Sequence, residues 1–180
     1  MKLLAFITDG PRDNVQVFIP SERPVCWSSF SHPRLTARAV LLKGSEVALM
    51  HMDKLGIYTL PGGGLMDCET PCSALYREVL EETGYPCTIL KDLGRIDEQR
   101  RRYHSAQRSY GFLAEVTGAP SKPQMTLQEK KSNTHLEWYS PAKALYLLEH
   151  GHQAKDPYWA SFIETRERIF LQRALELLQQ

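Results

Sequence analysis

The chain has 180 residues, 42% hydrophobic and 24% charged, with 22 Lys and Arg against 21 Asp and Glu for a formal net charge of +1. This is the composition of one ordinary globular domain, long enough to bury a core, and its balanced charge gives no general argument for affinity to nucleic acid or membranes. The opening MKLLAFITDG breaks its apolar run at Asp9 and Gly10, short of the ~7–15 apolar residues of a secretory segment or the ~20 of a membrane span, so a cytoplasmic protein is expected.

Residues 3–8 read as a short strand and residues 15–19 as a second apolar run, separated by turn signals. Pro11, Pro20, Pro24 and Pro33 disfavour a long helix there, so residues 1–33 are expected to form a strand or arm packed on the main body. Trp27 and Phe30 in this arm either anchor it or line a base-binding pocket. Residues 35–50 read as a hairpin turning at Lys43, Gly44 and Ser45, and residues 57–60 lead straight into a glycine turn. The next element is a helix: Thr70 can cap its first turn, Pro71 suits the first helical position, and Gly84 suits a left-handed C-terminal cap. Strands are predicted over 87–93, 109–116 and 135–139, then a helix from Ser140-Pro141 to about Glu149 and a final helix from Asp156-Pro157 onwards. Cys26, Cys68, Cys72 and Cys87 make no C-x-x-C pair and are expected to be reduced thiols.

The helix after the glycine turn carries the chemistry. At about 100° per residue, Glu78, Glu81 and Glu82 fall within an arc of roughly 100°, opposite Cys72, Leu75, Tyr76, Val79 and Leu80. Like charges at these spacings destabilise a helix by a few tenths of a kcal/mol per pair. A hard divalent cation such as Mg²⁺ or Mn²⁺ would offset that repulsion; a solvated acidic face is the plainer alternative.

The full pattern is more specific. Gly63, five residues, Glu69, seven residues, Arg77-Glu78-Val79, one residue, Glu81-Glu82, one residue, Gly84 resembles the signature of the Nudix (MutT-like) hydrolase family. The signature spans the 23 residues from Gly63 to Tyr85, about an eighth of the chain, and departs from the family only in ending on Tyr85 where an aliphatic residue is usual. The resemblance implies an α/β fold, a Nudix-type α/β/α sandwich with a mixed sheet. Its core is expected over residues 34–150, with residues 151–180 forming a C-terminal helix of the same domain that serves as a lid, a homodimer contact or a packed end.

The resemblance also implies a Mg²⁺- or Mn²⁺-dependent enzyme that cleaves a pyrophosphate bond in a nucleoside diphosphate linked to a further group. Carried over residue by residue, it makes Glu78 and Glu82 the principal metal ligands and Glu81 a further ligand or base. The Gly62 carbonyl is another ligand position, and Glu69 and Arg77 form a structural ion pair. The catalytic base moves within the family between a box glutamate and a later acidic residue, for which Glu129 is the candidate here and Glu115 and Glu137 are alternatives.

For the substrate, residues 95–108 gather Arg100, Arg101, Arg102, His104 and Arg108 around Tyr103, and this reads either as a phosphate- and base-contacting segment or as a solvated loop. Tyr103 lies 18 residues beyond Tyr85, about where some dinucleoside polyphosphate hydrolases of the family carry a tyrosine. Arg101 stands where ADP-ribose hydrolases have a proline, and the SQPWPFPxS pattern of NADH-hydrolysing relatives is missing. Arg38 is placed to contact phosphate or base, or to make an edge salt bridge. The expected substrate is a small nucleotide, a dinucleoside polyphosphate or nucleoside triphosphate. The alternatives are a 5′-end pyrophosphohydrolase acting on RNA and a non-catalytic nucleotide sensor.

Overall fold

The computed structural model describes residues 1–10, 14–19, 32–151 and 153–180. Cys26, Trp27 and Phe30, and with them the question of a base pocket in the arm, lie outside these residues. Eight strands are described: β1 (Leu3–Asp9), β2 (Val15–Phe18), β3 (Arg34–Lys43), β4 (Glu46–Met52), β5 (Ile57–Thr59), β6 (Cys87–Arg100), β7 (Ser105–Val116) and β8 (Thr134–Tyr139). Four helices accompany them: α1 (Pro71–Thr83), α2 (Leu127–Lys131), α3 (Pro141–His150) and α4 (Pro157–Leu178). The strands form one mixed sheet in the order β2-β1-β6-β7-β3-β4-β5, with β8 paired to β4. β1 runs parallel to β6 and β3 parallel to β7, whereas β6 and β7 are antiparallel.

Alternation along the strands gives each face of the sheet a core. Ala37, Ala39 and Leu41 of β3 face α1, where Ala74, Leu75 and Val79 meet them together with Phe112 and Ala114 of β7. Val40 and Leu42 face the other way, onto Leu148 of α3 and Phe162, Phe170 and Leu171 of α4. The result is helix, sheet, helix, as period-two burial on a sheet covered from both sides requires. Tyr85, the unusual end of the signature, packs edge-on to Trp138 at 5.6 Å, with the Lys43 ammonium over both rings.

The hairpin of β3 and β4 holds together only at its turn, through the pairs Leu42–Val47 and Lys43–Glu46. Beyond it, β4 leaves to pair with β5 and β8, while β3 pairs along its length with β7. The edge of β3 that β4 vacates is taken by the glycine turn. Ala39 N donates to Pro61 O at 2.9 Å, Ala37 N to Gly63 O at 2.9 Å, and Leu65 N to Leu35 O at 3.0 Å. The turn is thereby fixed to the sheet by backbone bonds, immediately before α1.

Candidate active site

Helix α1 begins where its sequence directs. Thr70 accepts from Ser73 N at 3.1 Å while Ser73 Oγ accepts from Thr70 N at 2.9 Å, a reciprocal cap, and Pro71 occupies the first turn. Gly84 ends the helix at φ 77°, a left-handed conformation that favours glycine. Between these stops the helix turns Glu78 and Glu82 towards the glycine turn, with Glu81 bonded to Arg77.

Arg77 organises the acidic group. Its Nε and NH2 donate to the two oxygens of Glu69 at 2.9 and 2.8 Å, NH2 donates to Gly64 O at 3.0 Å, and NH1 donates to Glu78 at 2.8 Å and Glu81 at 3.3 Å. The ion pair of Glu69 and Arg77 therefore ties the loop to the helix, and Arg77 supplies part of the offset to the like-charge repulsion. Hydrogen bonds from Arg77 and from Met66 N hold the Glu69 carboxyl down at about 2.

Glu82 is 5% exposed, and its Oε2 accepts from Gly62 N at 2.7 Å. Burial pushes its carboxyl up to about 8, against the pull of Arg38 and the Gly62 N–H and with the charges of Glu129 and Glu78 adding to the rise. Burial raises Glu78 as well, with Arg77 opposing. Clustered carboxylates that resist ionisation alone suit a hard divalent cation, which would bring them back to the charged form. The packing around Glu78 agrees: a Cβ on Gly63 would overlap its carboxylate, so only glycine leaves that donor its place. Gly63→Ala is expected to weaken Mn²⁺ binding about 10–100-fold, the usual range when groups orienting metal ligands are disturbed; a Mn²⁺ titration followed by electron paramagnetic resonance measures it.

Arg38 lies beneath the turn. Its NH1 donates to Gly62 O and, at 3.3 Å, to Leu60 O, and its Nε lies 3.6 Å from Glu167 Oε1 of α4. Glu167 in turn receives Arg166 at 2.6 Å, and Arg166 reaches Glu98 of β6 at 2.8 Å, a carboxylate also held by Arg100. Arg166, Glu167 and Glu98 are all 2% exposed or less. This buried chain of charges runs from β6 through α4 to the glycine turn. Sequence reasoning did not find it, although two charged residues inside the apolar stripe of Phe162, Ile163, Phe170 and Ala174 are its visible trace.

The cationic segment after α1 is not a loop. It is the antiparallel hairpin of β6 and β7, paired from Cys87–Val116 to Arg100–Ser105 and closed by a 3-10 turn at Arg101–Tyr103. Period two decides its side chains: Glu98 and Arg100 face α4, whereas Asp97 faces the other side and accepts from Arg108 at 2.8 and 3.0 Å. In the turn, the Arg102 guanidinium lies over the Tyr158 ring at 5.2 Å, and Tyr103 OH donates to Asp156 at the start of α4. Arg38, Arg102 and Tyr103 are thus not gathered: the first lies under the glycine turn and the other two against the start of α4.

The later acidic candidates separate clearly. Glu129 caps α2, accepting from Thr126 N at 2.7 Å, and its charge reaches Glu82. Glu115 is exposed on β7, and Glu137 accepts from Tyr139 OH at 2.7 Å on β8.

The NUDIX domain family model matches residues 32–162. The chain belongs to the Nudix family. A Danio rerio Nudix protein named 8-oxo-dGDP phosphatase NUDT18 is 31% identical over 116 residues, covering 62% of this chain and 34% of that protein. An RNA pyrophosphohydrolase of Xylella fastidiosa (strain 9a5c) is 29% identical over 118 residues, covering 57% and 62%. The chain therefore spans less than two thirds of the length of each. The crystal structure of a UDP-X diphosphatase shares the fold at a TM-score of 0.57 and 13% identity, covering 84% of this chain and 66% of that one. Arg166 and Glu167 lie beyond the stretch matched by the Nudix model.

Proposed function

We propose that this Nudix chain is a divalent-metal-dependent pyrophosphohydrolase acting on a small nucleotide, either a nucleoside triphosphate or a dinucleoside polyphosphate. The observation that carries the reading is the placement of Glu78, Glu81 and Glu82 on one face of α1 beside a glycine turn bonded to β3. Those three carboxylates and the Gly62 carbonyl, whose second lone pair is left over beside Arg38, would hold the metal. When bound, it supplies neutralisation of the phosphate charge and a lowered pKa for the attacking water.

The chain's own groups do the rest. Gly63 and Gly64 admit the phosphates close to the backbone. Arg77 keeps Glu78 and Glu81 turned towards the site, and Arg38 holds the Gly62 carbonyl from below. A carboxylate takes the proton as the water oxygen bonds to phosphorus and the bridging P–O bond breaks, leaving the charge on the departing phosphate. Glu129 is the proposed base in this reading, and it must first give up its bond to Thr126 N. The substrate name of the Xylella relative favours RNA 5′ ends as a second reading, but Arg100 and Arg108 are already paired with Glu98 and Asp97.

A hydrolysis assay with Mg²⁺ and Mn²⁺, its nucleotide products separated by chromatography, distinguishes these readings. Its panel holds nucleoside triphosphates, dinucleoside polyphosphates, nucleotide sugars, ADP-ribose and 5′-triphosphate RNA. Turnover of nucleoside triphosphates or dinucleoside polyphosphates is expected. A preference for RNA with steep salt dependence would select the second reading, and silence across the panel would favour a nucleotide sensor.

A further inference from the structure

A second cluster of metal-ligating side chains stands on the opposite face of the sheet from α1. On β4 and β8, Ala48, Leu136 and Trp138 pack with α1, whereas Val47, Leu49 and Tyr139 belong to the core under α3 and α4. Alternation places His51, His135 and Glu137 on that second face. His51 and His135 are direct cross-strand partners, and Glu137 pairs with Leu49 one step along. Their ligand atoms all lie within 4.8 Å of one another.

The neighbours hold these side chains in place. The Tyr58 ring stacks on His51 at 4.1 Å and 11°, and Tyr139 OH donates to Glu137 at 2.7 Å. One Glu137 carboxylate serves both rings, with His135 Nε2 at 3.2 Å from one oxygen and His51 Nδ1 at 3.7 Å from the other. Asp53 adds a second carboxylate, its Oδ1 lying 3.1 Å from His51 Nδ1 and 3.8 Å from His135 Nδ1.

We propose that His51, His135 and Glu137, with Asp53 beside them, form a binding site for a first-row transition ion of the Zn²⁺ class, separate from the carboxylates of α1. Two imidazole nitrogens and carboxylate oxygen suit Zn²⁺, while all-oxygen donors suit Mg²⁺. Tetrahedral Zn²⁺ with bonds of about 2.0–2.2 Å needs neighbouring donors roughly 3.3–3.6 Å apart, so small side-chain rotations close the cluster. Carboxylates that orient histidine ligands, and a hydroxyl that orients a carboxylate, are the outer partners such sites use. An ion there ties β4 to β8, and through His51 it bears on Tyr58 of β5, the strand that leads into the glycine turn.

Zinc titration of the full chain in excess Mg²⁺, followed by the ring resonances of its six histidines, tests this. The first equivalent of Zn²⁺ is expected to move two histidines, assigned as His51 and His135 by loss of their signals in His51→Gln and His135→Gln. Each of those variants should bind Zn²⁺ at least tenfold more weakly, and the His135 side chain is 43% exposed, so its replacement leaves the core untouched. Glu82→Gln should keep the Zn²⁺ equivalent. No movement, movement of other histidines, unchanged affinity in both histidine variants, or loss of the equivalent in Glu82→Gln would each overturn the proposal.

Discussion

Glu82→Gln is expected to lower metal-dependent turnover by about 10³-fold, with the fold intact. In the proposed reading Glu82 would both hold the ion and help offset phosphate charge, and single electrostatic groups in enzyme sites are worth about 10²–10³. The amide keeps an oxygen to accept from Gly62 N, so the turn stays seated. The same substitution has an opposite effect on stability. Glu82 in the metal-free protein has its carboxyl raised from 4.5 to about 8, so the folded state binds a proton that the unfolded state has already released. Its contribution therefore becomes less favourable as pH rises from about 4.5 to about 8. In EDTA, thermal midpoints of the wild type should fall over that window more steeply than those of Glu82→Gln, and saturating Mg²⁺ should flatten the wild-type slope. A variant with unchanged turnover would remove Glu82 from the site.

Arg166→Ala should be the most damaging change for the fold. Arg166 is 2% exposed and lies between Glu98 and Glu167, at 2.8 and 2.6 Å, so its loss leaves two buried carboxylates with only Arg100 and Arg38 to offset them. Removing one member of a buried ion group costs about 3–5 kcal/mol, which at about 2–4 °C per kcal/mol lowers the thermal midpoint of a domain this size by ~6–20 °C. Arg173→Ala is the control: its pair with Glu176 is at the surface, with side chains 37% and 64% exposed, and should shift stability by less than about 1 kcal/mol. Urea denaturation of the two variants side by side measures the difference. Equal effects would mean that the buried chain of charges contributes nothing special.

What was legible in the sequence was local. The cap of Thr70, Pro71 at the first turn, Gly84 at the end and the carboxylate arc all rest on bonds within a few residues, and α1 shows each of them. The mixed sheet between helices followed from the family resemblance. The strands around residues 95–108 were not legible, because RIDEQRRRYHSAQR is too charged to look like a core strand. Its inward charges are acceptable only because α4, some 70 residues later, brings Arg166 to Glu98. Arg38 is a similar case: its place beneath the turn depends on Glu167 and on carbonyls of Leu60 and Gly62, none of them near it in sequence. The splay of β3 from β4 was hidden for the same reason, since it is decided by competition from β5, β7 and β8 and not by the hairpin itself.

That splay makes the amides of Ala37 and Ala39 unusual. Both lie mid-strand in the sheet, yet their hydrogen bonds run to Gly63 O and Pro61 O and not to a neighbouring strand. They are shielded from solvent deuterium only while the glycine turn is docked, whereas the amides that bond β3 to β7 stay shielded until the sheet itself opens. Hydrogen exchange at these two alanines therefore counts the excursions of the turn, one peptide group at a time.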